Sequence, residues 1–144
     1  MAQLVELVVS EVRAAVPLRA GQEAGMVVLS EVDEPFRSLQ IYIGQPEARA
    51  IQAGLRGDKP PRPTTWDLFL AATEALDARL ERAVIDRVEE ARHFFASLEL
   101  RRGEVVHVVE CRPSDAVAVA VRSQGAGIFA TEEVMAGAGR FPSS

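Results

Sequence analysis

Cysteine is almost absent from this chain. With Cys111 alone, an internal disulfide is impossible, and a zinc site built on two or more thiolates is excluded. A lone thiol suits a reducing, cytoplasmic setting. Positive charge is also in short supply. Sixteen lysines and arginines face 21 acids, a net charge of −5, and Lys59 is the single lysine. No segment forms a basic tail, which counts against a strong non-specific grip on nucleic acid. Apolar runs stay well short of the ~20 residues that a membrane span needs. The first residues, MAQLVELVVSEVR, carry Glu6 and Glu11 where a secretory signal would be basic, so no signal peptide is expected. There are two histidines, His93 and His107, without the i, i+4 spacing of a helical zinc motif. A glycine-rich phosphate loop is missing, and Ser114 lacks the glycines of a nucleophile elbow.

What is present describes one folded domain. A chain of 144 residues with 48% hydrophobic side chains can bury a real core. Three β-rich stretches come first, at residues 4–12, 26–32 and 39–43, the last alternating Leu39, Ile41 and Ile43 with polar neighbours. Pro46 and Glu47 mark a helix start, and Ala48, Ile51 and Leu55 carry helical spacing to Gly57. After the polar loop 58–63, Thr64 with Asp67 has the form of a capping box, and apolar residues through Leu80 extend that second helix. Strands are expected at 83–91, 93–101 and 104–111, a meander with a turn at Arg102-Gly103.

The run after Asp115 is locally ambiguous. Val117, Val119 and Val121 favour strand, whereas Pro113 and Asp115 favour the first turn of a buried helix, which is the reading adopted. A short strand at 127–130 and a helical turn from Thr131 close the domain. The expectation is an α/β (α+β) single domain over residues 1–137, with a mixed or mostly antiparallel sheet, three to four helices, and a flexible tail at 138–144.

Five segments in order carry a resemblance: LQIYIGQPEARAI, RPTTWDLF, HFFASLEL, CRPSDAVAVAVR and IFA. Together they resemble the bifunctional nuclease domain family over roughly residues 4–135, with Arg112-Pro113-Ser114-Asp115-Ala116 the most specific element. The resemblance implies a bacterial protein, often a homodimer or higher oligomer, that acts on DNA and RNA with a divalent metal. It also marks a departure. Trp66 stands where the family pattern has histidine before the aspartate, and an indole neither accepts a proton usefully nor coordinates metal.

The residues themselves allow a chemical reading. Two helix starts echo each other, Arg62-Pro63…Asp67 and Arg112-Pro113…Asp115. If they converge, Asp67 and Asp115 with Glu47 would hold Mg²⁺ or Mn²⁺, while Arg62, Arg112 and Arg122, with Ser114, would contact the substrate phosphate. Asp115, Asp67 and Arg112 are the candidate catalytic groups. The plainer alternative is that each aspartate caps its own helix, worth about 1 kcal/mol apiece, and that the arginines pair with nearby acids. On that alternative the chain is a non-catalytic, oligomeric module that binds a ligand or partner. His107 and His93 read as sheet and surface residues, Tyr42 and Trp66 as packing residues or base-stacking platforms. Cys111 reads as a packed residue whose thiol Arg112 could acidify.

Overall fold

The computed structural model describes residues 3–143. Seven strands form one mixed sheet in the order β3-β2-β1-β7-β4-β5-β6. They are β1 (Leu4–Pro17), β2 (Glu23–Glu31), β3 (Ser38–Ile43), β4 (Arg79–Glu89), β5 (His93–Arg102), β6 (Val105–Cys111) and β7 (Gly127–Thr131). The β4–β7 pair is parallel; the other neighbours are antiparallel. Four helices complete the α/β domain: α1 (Gln45–Arg56), α2 (Thr65–Ala75), α3 (Pro113–Ala120) and α4 (Glu132–Ala138). None of them is long and apolar enough to cross a membrane.

Register explains where the core lies. Leu7 pairs with Ile128, Ile128 with Ala83, and Ala83 with Leu98, so these side chains share one sheet face. With Val27, Leu29, Leu39 and Ile41 they meet Ile51 of α1, Val134 and Met135 of α4, and Ala116 to Ala120 of α3 in a single apolar cluster. α3 lies deepest: Ser114 and Ala116 to Ala120 are all buried. The Ala/Val run is therefore a helix, because its proline and acid nucleate one and burial on every side needs no amphipathic stripe. Gly54 lets α1 approach α3, since a Cβ there would sit 2.7 Å from a Val121 methyl.

Several boundaries differ from the sequence expectation. α2 stops at Ala75 and Leu80 belongs to β4. A Schellman ending closes the helix: Ala78 N–H donates to the Thr73 carbonyl at 2.9 Å and Asp77 N–H to that of Glu74 at 3.0 Å. Asp77 takes the left-handed conformation, φ +60. β4 ends at Glu89, because Glu90 and Ala91 turn the chain with φ +54 and +57. β1 continues to Pro17, past two register shifts that break its alternation. In the stretch expected as a tail, Arg140 exchanges two backbone hydrogen bonds with Ser38 at the edge of β3, 2.9 and 2.8 Å long.

Candidate functional site

Helices α1, α2 and α3 each begin with an acid at the third helical position: Glu47, Asp67 and Asp115. At α2, the Thr64 hydroxyl donates to Asp67 Oδ2 (2.6 Å) and the Thr64 N–H to the same oxygen (2.9 Å). These bonds hold the Asp67 carboxyl below its ordinary pKa, with a smaller contribution from Arg122. At α3, Arg112 is the N-cap residue and folds onto its own helix. Its Nε and Nη2 donate to the two oxygens of Asp115, both at 2.9 Å. That fork is the main reason the Asp115 carboxyl also titrates low, and the Trp66 side chain adds a weaker hydrogen-bonding contribution. Arg112 Nη1 lies 3.7 Å from Glu47 Oε2.

Arg122 completes the assembly from just beyond the end of α3. Its side chain is 10% exposed and its Nε lies 3.5 Å from Asp67 Oδ1. Nη1 donates to the Ala118 carbonyl (2.7 Å) and Nη2 to that of Ala50 (2.9 Å), while the guanidinium carbon stands 5.5 Å from the centre of the Trp66 ring. The groups thus form one continuous path: Glu47, Arg112, Asp115, Trp66, Arg122, Asp67. The two helix starts, which match in sequence, are linked through these contacts, with Trp66 standing between the Arg112–Asp115 and Arg122–Asp67 pairs.

The arrangement differs from the expected metal centre. No three His, Cys, Asp or Glu side chains among the described residues are grouped to hold an ion. Both oxygens of Asp115 face Arg112, and Oδ2 of Asp67 accepts from Thr64 twice. Glu47, Asp67 and Asp115 therefore do not fit a shared Mg²⁺ or Mn²⁺ in this geometry, since cation ligation needs free oxygens on a common point. Ser114, expected at the substrate, is 4% exposed within α3. Arg62 stands exposed in the loop before α2, without an ion pair among the described residues. Arg112, 62% exposed along its side chain, remains open to a ligand.

Two open clefts flank Arg122. One, about 550 Å³, is lined by Asp58, Lys59, Asp67, Arg122 and Gln124. The other, about 400 Å³, is lined by Thr73, Glu74, Arg79 and Arg122. Lys59 had given no sequence signal beyond being the single lysine. Trp66, read from the sequence as a packing residue or stacking platform, lies between Asp115 and Arg122, a contact that no local spacing reveals. Cys111 corrects an expectation. Burial pushes its thiol up to about 12, with Asp115 and other acids acting in the same direction, so proximity in sequence to Arg112 does not activate it.

Comparison with known proteins gives a consistent picture. The model of the bifunctional nuclease domain matches residues 27–142. Uncharacterized proteins from two strains of Mycobacterium tuberculosis are 42% identical over 103 residues, 72% of this chain. The aligned part spans 60% of the length of those relatives.

Proposed function

Because this chain belongs to the bifunctional nuclease domain family, we propose that it hydrolyses phosphodiester bonds of DNA and RNA where α1, α2 and α3 begin. The observation that carries this reading is the family match over residues 27–142. The exposed Arg112 supports it. A guanidinium fork takes two phosphate oxygens as readily as two carboxylate oxygens, so a phosphodiester competes with Asp115 for the same donors. Lys59 lines the cleft beside Asp67 and Arg122, and Arg62 is exposed in the loop before α2. Once the phosphate holds Arg112, the Asp115 carboxylate is free to orient a water and accept its proton. The water oxygen bonds to phosphorus as one ester P–O bond breaks, and the departing oxygen takes that proton and leaves as an alcohol. A carboxylate that titrates below its ordinary range is a weak base at neutral pH, so the expected turnover is slow. No step is assigned to a metal, because the three candidate carboxylates do not converge.

A second reading rests on the same chain of contacts. A site whose acids are all engaged by arginine or threonine binds a phosphate ester without cutting it. The chain would then be a ligand-binding module. Purified protein is incubated with single-stranded DNA and RNA in Mg²⁺, Mn²⁺ or EDTA, beside Asp115→Asn and Arg112→Ala prepared identically. Fluorescence anisotropy measures binding in the same samples. Cleavage lost in a folded Asp115→Asn while binding persists upholds the hydrolase. Binding that depends on Arg112 with no cleavage under any condition upholds the module. Cleavage unchanged in both variants removes the chemistry from this site.

A further inference from the structure

The sheet ends on one side at β6, and nothing among the described residues covers that edge. β6 runs against β5 in unbroken register, from Ala96↔Cys111 to Arg102↔Val105, without a bulge. Its four valines are exposed: Val105 56%, Val106 39%, Val108 66% and Val109 41%. Free edges are ordinarily blunted by lysine, proline, a bulge or a covering segment, because unpaired N–H and C=O groups recruit another strand. β6 has none of these devices. The opposite edge, β3, is met by Arg140, whose guanidinium also donates to Gln40 at 2.7 Å.

The order of residues indicates the partner. Glu104-Val105-Val106-His107-Val108-Val109-Glu110 reads the same in both directions. We infer that β6 is the contact between two copies of this chain, paired antiparallel about a two-fold axis through His107. In that register Val105 of each copy faces Val109 of the other, Val106 faces Val108, and His107 faces its counterpart. Val109 and His107 pair with Leu98 and Leu100 of β5, so the Val105–Val109 contacts lie on the helix-covered face. The Val106–Val108 contacts lie on the other face. Both sides of the joint are apolar, and β-branched cross-strand pairs suit it.

Neighbouring registers lack this match. An axis through Val106 sets His107 against Val105 and Glu104 against Val108, and an axis through Val108 sets Glu110 against Val106. The cost of the central register is one pair of like charges, Glu104 facing Glu110, at each exposed end, where water and salt screen them. A single strand pair is smaller than a standard interface, so the dissociation constant is expected on the order of micromolar.

Sedimentation velocity of the full chain across the micromolar range is the test, with Val106→Lys/Val108→Lys beside it. The wild type is expected to pass from monomer to dimer with concentration, and the double variant to stay monomeric with an unchanged circular dichroism spectrum. Register is read by disulfide trapping in a Cys111→Ser background. His107→Cys is expected to cross-link on oxidation, because the two positions meet on the axis. Val105→Cys is expected not to, because it faces Val109. A chain monomeric at every concentration overturns the inference, as does a dimer that neither responds to the lysines nor cross-links at 107. Should the lysine variant fail to fold, the two cysteine variants decide.

Discussion

Arg122 gives partners to two helix carbonyls and one carboxylate from a nearly buried position. Arg122→Met should leave those acceptors stranded and lower stability by about 2–4 kcal/mol in urea unfolding. Arg122→Lys should recover part of the loss, since one ammonium cannot reach three directions as a fork does. A loss under 0.5 kcal/mol, within the range of ordinary surface changes, would mean that water replaces these bonds. This residue also marks a limit of sequence reading. Thr64 and Asp67 are three positions apart, and their capping box follows from that spacing alone. Ala50 lies 72 positions from Arg122, and no local pattern announces the bond. The candidate residues were legible as helix-start acids and nearby arginines. That the arginines pair with acids was readable as an alternative; which pairs form between separate elements was not, because those depend on tertiary packing.

At the scale of elements, apolar spacing misled where a backbone signal prevailed. Leu76 and Leu80 continue the period of α2, yet Asp77 in the left-handed region ends the helix and Leu80 joins β4. A side chain in that conformation is strained, whereas glycine is not. Asp77→Gly should therefore raise stability by about 0.5–1 kcal/mol, visible as a higher thermal midpoint. A lower midpoint would show that the carboxylate has a compensating partner. α3 went the other way. Its alternating valines favour strand, and the cap residues Pro113 and Asp115 settled the matter because the finished helix is buried all round.

For the whole molecule, strand existence was readable and strand order was not, since β7 pairs with β1 and β4 from far along the chain. One buried charge cluster fixes the far end. Arg37 reaches Glu31 and Glu132 at 2.8 to 2.9 Å, tying β2 and the start of β3 to α4. Arg37 holds both glutamates below their ordinary value of 4.5. A carboxylate depressed on folding stabilises above its unfolded pKa, and that contribution is lost as pH falls through the folded pKa. The urea midpoint should therefore drop as pH is lowered from 4.5. In Arg37→Met, Glu31 keeps its burial without its partner, so its pKa rises. Acidification should then cost that variant less stability than it costs the wild type, because Glu31 gains rather than loses on protonation. Parallel pH profiles for the two proteins would remove this role from Arg37.

The five residues of β7 join two strand groups that are otherwise separate, β1 to β3 and β4 to β6. Seen in order of synthesis, a nascent chain completes both groups before the strand that unites them exists. Until Gly127–Thr131 emerges, β1 and β4 each keep a bare flank, the shared core stays open, and the ribosome carries two unfinished sheets. Closure waits for residues 127–131, and a premature stop shortly before residue 127 would release a chain with four strand edges instead of two.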